Sequence, residues 1–170
     1  MSDNLNDRKM ILEQTSIHPK VGLENDLFGR FLGDWEFDLS IFDFDGSKKD
    51  FKGKWHFHRI CDGMAMQDHW IVPNSDGHSL HESGTAVRMF DFVNKNWKVT
   101  WLGPIQNQYF VFNASQKEDR IVLEETGYAP LKMRWVFYDI SDHQFQWKSE
   151  ILMPDLNKWF TNYHMYVKRP

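Results

Sequence analysis

"KWHFHRICDGMAMQDHWIV", Lys54 to Val72, carries an Asp-Gly pair near its centre and alternating side chains on either side. Asp62-Gly63 suits a two-residue type I′ turn, in which both central residues take positive φ. Such a turn sets a register: Cys61 opposite Met64, Ile60 opposite Ala65, Arg59 opposite Met66 and His58 opposite Gln67. Phe57 then faces Asp68, His56 faces His69 and Trp55 faces Trp70. Successive side chains of a strand point to opposite sides, so the hairpin has two unlike faces. One holds Trp55, Phe57, Arg59, Cys61, Met64, Met66, Asp68 and Trp70; the other holds His56, His58, Ile60, Ala65, Gln67, His69 and Ile71. Burying a large apolar side chain stabilises by about 1.5–3 kcal/mol. A buried imidazole or amide left unpaired costs about 1–3 kcal/mol. The tryptophan face therefore points inward.

The same period of two recurs along the chain. "WEFDLSI" places Trp35, Phe37, Leu39 and Ile41 on one face, and "NWKVTWL" does so with Trp97, Val99 and Trp101. "PLKMRWVFYD" and "QFQWKSEI" repeat the pattern with Met133, Trp135 and Phe137, then Phe145, Trp147 and Ser149. Turn chemistry separates these runs at Asp45-Gly46, Asn94 to Asn96, Gly103-Pro104, Glu118-Asp119, Gly127 to Pro130, Ser141-Asp142 and Pro154-Asp155. The spacing predicts about ten antiparallel strands, arranged as a sandwich or an up-and-down barrel. No interval is long enough for a crossover helix, which excludes a parallel sheet. Before the strands, Leu27, Phe28, Phe31 and Leu32 predict one or two helical turns with Asn25 or Asp26 as cap and Gly33 as stop. A short amphipathic helix over Asn6 to Thr15 and a loose arm are both compatible with the first 23 residues.

Of the 170 residues, 41% are hydrophobic and 16% aromatic, so a thick core or a ring-lined cavity is needed. The net charge of -4 is spread without a basic stripe, which argues against nucleic acid as a partner. The single cysteine, Cys61, cannot form an internal disulfide, the opening residues lack a signal-peptide pattern, and no apolar run reaches membrane-spanning length. These features predict a cytoplasmic protein with no membrane partner. "NAS" (Asn113 to Ser115) fits a glycosylation acceptor, read as chance in that setting.

"FLGDWEF" (Phe31 to Phe37) resembles the Gly-x-Trp opening of calycins, the lipocalin-like barrels. An ordered series of further blocks, "GKWHFHRICDGMAMQDHWIVP", "GTAVRMFD" with "WKVTWLGP", and "LKMRWVFYDI" with "FQWKSE", is similar to a little-characterised bacterial group of small lipocalin-like proteins. The similarity spans roughly residues 28–167. It implies an all-β, about ten-stranded antiparallel up-and-down barrel with a short N-terminal helix or arm. The arm would be residues 1–23 and the barrel residues 24–170. It implies no particular activity, because barrels of this kind host binders, haem proteins and a few cyclases or isomerases.

By parity the interior would hold Trp35, Phe37, Leu39, Trp97, Val99, Trp101, Met133, Trp135, Phe137, Phe145, Trp147, Trp159, Tyr163 and Met165. The expected function is binding of a small, mostly hydrophobic or aromatic molecule, with Trp35, Phe37, Trp55, Phe57, Arg59, Asp68, Trp70, Trp97, Trp101, Trp135, Trp147 and Tyr163 as contacts. Tyr163, Ser149 and Thr161 are the expected polar contacts, and Arg59 and Asp68 are expected to pair across the hairpin diagonal. The alternative is a cofactor-independent isomerase, cyclase or lyase using Asp68, Arg59 and Tyr163 for acid–base work. A second alternative is metal bound by His56, His58 and His69, or haem bound by an inward-turned His164, which parity otherwise places outside. No cofactor is expected on the leading reading, and a homodimer stays open as a partner. Asp91, Glu125 and Asp139 lie at strand ends and are read as exposed. Nucleophile-elbow, P-loop and dinucleotide-binding signatures are absent, and Cys61 lies on the face opposite the histidines.

Overall fold

The computed structural model describes residues 16–74 and 79–170; the helix expected over Asn6 to Thr15 lies outside them. Ten antiparallel strands follow in order: β1 (Gly33–Phe42), β2 (Lys48–Ile60), β3 (Ala65–Pro73), β4 (Leu80–Asp91) and β5 (Asn96–Gly103). β6 (Gln108–Lys117), β7 (Arg120–Glu125), β8 (Met133–Tyr138), β9 (Gln144–Met153) and β10 (Lys158–Lys168) complete the set. Each strand pairs with the next and β10 pairs with β1, closing the barrel. Closure leaves no open sheet edge.

The hairpin register is the one its alternation predicts, from Trp55↔Trp70 through His56↔His69 and Phe57↔Asp68 to Ile60↔Ala65. The turn differs in one respect. Cys61 as well as Asp62 and Gly63 has positive φ, so the ladder ends at Ile60↔Ala65, and Cys61 and Met64 are joined only by the turn bond in which the Met64 amide donates to the Cys61 carbonyl at 2.9 Å. Gly63 also sits against the backbone of Ser16 and His18, where a β-carbon would not fit. The His18 amide donates to the Gly63 carbonyl at 3.2 Å.

That contact begins the closure of one barrel end. Short 3-10 turns at Leu23–Asn25 and Gly29–Phe31 carry Val21, Phe28 and Phe31 into the interior, all buried. The Trp35 indole N–H donates to the Phe31 carbonyl at 2.6 Å, and that of Trp97 donates to the Asn25 carbonyl at 2.8 Å. From the C-terminal end Arg169 donates to the Leu32 carbonyl at 2.7 Å and lies 3.7 Å over the Trp35 ring. Apolar insertion, capped by indole and guanidinium donors, makes this the closed end.

Seven of the eight tryptophans are buried inside; Trp159 is not among them. The expectation that Trp159 faces the cavity is corrected by a bulge. Thr161 pairs with Glu150 and Tyr163 with Ser149, so Asn162 is an extra residue and parity reverses on its N-terminal side. Trp159 consequently opposes Leu152 on the outer face, where the Arg134 guanidinium lies 4.1 Å over its ring. Thr161 moves with it to the outer ladder beside Glu150.

Candidate functional site

The barrel interior has two halves of different chemistry. Near the closed end, β2, β3 and β4 bring together charged groups that are almost wholly buried: Arg59, Asp68 and Arg88. Asp68 accepts from the Trp55 indole N–H at 2.8 Å and is bridged by Arg88. The Arg88 guanidinium lies 5.0 Å from the Phe28 ring centre and 5.3 Å from that of Phe57. Burial pulls Arg88 down to about 9, which still leaves it charged at neutral pH. Arg59 bridges not Asp68 but Asp26, at 2.5 Å. Asp26 also accepts from the Gly29 amide at 3.1 Å, although the cap position of that turn is Phe28 rather than the expected Asn25 or Asp26. The diagonal Arg59–Asp68 pair is thus replaced by two separate pairs, because the closing segment supplies one carboxylate and β4 supplies one cation.

Arg88 keeps the alternation of its strand but reverses its chemistry, a charge facing in between apolar residues that face out. Its neighbours Val87 and Met89 are exposed, while Arg88 points inward with Ala86 and Phe90. One signal could have found it: a carboxylate at Asp68 facing the interior requires a buried cation, and Met66↔Arg88 pairing places one next to it.

Toward the other end the interior opens into two adjoining cavities of about 220 and 170 Å³. They share Trp70, Trp101, Gln108 and Tyr163. The larger is walled by the indoles of Trp135 and Trp147 and by Met133, with Ser149 and Asn162 as further polar groups. Trp70, Trp135 and Trp147 meet edge to face at 5.3 Å, an arrangement that fixes their planes. Two glycines make room for rings. A β-carbon on Gly84 would collide with the Trp101 indole, and one on Gly53 would collide with the Phe37 ring.

Both bulges of the barrel fall at this wall. In β4 the pairs Trp70↔Gly84 and Ile71↔Glu82 leave Ser83 as the extra residue, and Ser83 lines the smaller cavity. Asn162, the extra residue of β10, lines the larger one. The Trp101 indole N–H donates to the Gln108 side-chain oxygen at 3.1 Å. Burial, and then the Asp43 carboxylate, raise the Tyr163 phenol above its ordinary 10, so it stays protonated. The β7–β8 loop closes over the wall with Ala129, Pro130 and Leu131. Glu125 organises that loop, accepting from the amides of Gly127, Tyr128 and Ala129 at 2.8, 2.5 and 3.1 Å.

Of the residues expected to contact a ligand, Trp70, Trp101, Trp135, Trp147 and Tyr163 line these cavities. Trp35, Trp55, Phe57, Arg59, Asp68 and Trp97 belong to the packed half, and Phe37 packs over Gly53. Asp68 and Arg59 are therefore separated from Tyr163, the third residue of the acid–base set. Gln108, Asn162 and Ser83 were missed; bulges and the cavity's position leave no mark in local alternation.

His56, His58 and His69 share the outer face, as their register predicts, but as a stack. The His58 ring is 5.2 Å from His69 and 5.6 Å from His56, nearly parallel to the first. His56 and His69 turn Nδ1 to Asp34 and Glu82, each at 2.7 Å. Among the described residues no three His, Cys, Asp or Glu side chains converge as a metal site would require. His164 is bonded to the Tyr138 hydroxyl at 2.8 Å and to Gln146 at 3.0 Å, and no described histidine lines either cavity.

No family model and no curated protein sequence matches the chain. Solved structures do. The S-type phycobiliprotein lyase CPES from Guillardia theta superposes with a TM-score of 0.60 at 11% identity, covering 86% of this chain and 92% of that one. Rv2717c from M. tuberculosis superposes with a TM-score of 0.60 at 9% identity, covering 91% of this chain and 99% of that one. At such identities the likeness defines the fold alone: an all-β, ten-stranded calycin-like barrel. Among the described residues no helix is long and apolar enough to cross a membrane.

Proposed function

We propose that the protein binds a small, mostly apolar aromatic molecule in the paired cavities at the open end of the barrel. One contrast carries this reading. The carboxylates of the closed half are each met by a guanidinium, with only the Arg88 Nε of the Asp68–Arg88 pair unpartnered. The cavity wall instead sets the unpartnered Trp147 indole N–H and Asn162 side-chain oxygen, with the Ser149 and Tyr163 hydroxyls that bond to no described residue, among indole faces. Polar groups held in an apolar wall without partners are what a ligand site supplies and a packed core avoids. The likeness of fold to the S-type phycobiliprotein lyase CPES is compatible with a small-molecule role.

The test is titration of the full chain with N-phenyl-1-naphthylamine, read by tryptophan quenching and by the rise in thermal midpoint. Saturable quenching with a one-to-one end point is expected. At a hundredfold excess over Kd the stabilisation should be about 2.7 kcal/mol. Ser149→Leu, which fills the larger cavity, should abolish both signals. If the probe binds equally well to that variant, the site is elsewhere.

A further inference from the structure

The cavities differ from many apolar sites in what they lack. Among the described residues no Asp, Glu, Lys, Arg or His lines either of them. Burial, and then the Asp43 carboxylate, disfavour ionisation of the Tyr163 phenol, so that group too is neutral. An anionic ligand would lose hydration without gaining a cation, and a cationic one would find no carboxylate in the wall.

The polar groups that line them, among the described residues, are neutral hydroxyls, amides and indoles, each able to donate a hydrogen bond. Ser149 is 3% exposed, lies on the inward face of β9 and has no hydrogen-bond partner among the described residues. The Gln108 oxygen is occupied by the Trp101 indole, which leaves its amide N–H groups as the available function. The Tyr163 hydroxyl is protonated. The buried Trp147 indole N–H also lacks a hydrogen-bond partner, as does the Asn162 side-chain oxygen. Gln108 and Trp147 can only donate here, the Ser149 and Tyr163 hydroxyls can donate as well as accept, and the Asn162 amide offers both, so an acceptor oxygen on a ligand can be met by several of them.

Size narrows the class further. A cavity of about 150 Å³ holds a benzene ring, so adjoining volumes of about 220 and 170 Å³ suit a two-ring molecule. Resting on the binding reading above, we infer that the barrel selects an uncharged, planar aromatic carbonyl compound and rejects the corresponding carboxylate. The rings lie among Trp70, Trp101, Trp135 and Trp147, and the carbonyl oxygen meets Ser149 and Tyr163.

Three probes of one shape test this on the full chain at neutral pH, by quenching of tryptophan fluorescence. 2-Acetylnaphthalene should bind about tenfold more tightly than 2-ethylnaphthalene, as one or two well-made neutral hydrogen bonds allow. 2-Naphthoate should bind at least as weakly as 2-ethylnaphthalene. Ser149→Ala and Tyr163→Phe, both smaller changes than ring removal, should each erode the acetyl preference several-fold while leaving 2-ethylnaphthalene unchanged. Equal affinity for all three probes would overturn the carbonyl inference and leave the binding site standing. Tighter binding of 2-naphthoate would overturn it in favour of an anion. Failure of all three to bind would remove the binding reading itself.

Discussion

Arg88 and Asp68 face each other inside the barrel, each almost wholly screened from water, with the Trp55 indole as the carboxylate's second donor. Removing one member of such a pair leaves an uncompensated buried charge, at a cost of about 3–5 kcal/mol. Asp68→Leu and Arg88→Met should each lower stability by that amount in urea denaturation. The double variant should recover much of the loss, since no charge is then stranded. Additive losses would mean that the two groups act independently.

Gly84→Ala should cost about 1–3 kcal/mol, because its β-carbon meets the Trp101 ring and the Leu102 carbonyl. The ring must shift, and Trp101 lines both cavities. Affinity for N-phenyl-1-naphthylamine should therefore fall with stability. An unchanged affinity at reduced stability would show that Trp101 does not shape the site.

Glu125→Ala should loosen the mouth rather than the barrel. Three loop amides lose their acceptor, so hydrogen exchange at Gly127 to Ala129 should accelerate by about tenfold or more while strand amides keep their protection. The measurement is exchange mass spectrometry of peptides spanning β7 and β8. Uniform acceleration across the barrel would point to a global role for Glu125.

Acid should weaken the fold through two histidines. Burial first, then the neighbouring His69 and His56, lowers His58 below the ordinary 6.5; burial, then Lys148 and Lys48, lowers His164 in the same direction. A base whose folded pKa is depressed binds its proton more readily when unfolded. Stability is then retained above pH 6.5 and falls as pH drops from 6.5 toward the folded values. Thermal midpoints should decline over that window, and His58→Gln combined with His164→Gln should flatten the decline. A slope indifferent to both changes would assign it to the carboxylates.

Much of this architecture is legible in the residues themselves. The Asp62-Gly63 turn and the two-residue period set the β2–β3 register and put Trp55 and Trp70 inside. Arg88 was hidden because Val87 and Met89 look like the inward pair of that strand, and only Asp68's need for a cation reverses the choice. Asp26 was hidden as the partner of Arg59 because the closing segment reaches it from another part of the chain. The cavity was half legible. Its indoles follow from alternation, but its position depends on which end the segment around Phe28 and Phe31 fills.

The extra residue in β10 has a consequence for how the mouth can be rewritten. Alternation on the two sides of Asn162 is out of phase, so the strand carries two independent messages: Tyr163, Met165 and Val167 for the deep wall, Phe160 for the rim. Deleting Asn162 alone would bring them into one phase. Phe160 would keep its inward face and Trp159 and Thr161 their outward one, and the wall would lose only the Asn162 side chain. A single-residue change in chain length would thus straighten the strand and take one polar group from the cavity while every ring keeps its face.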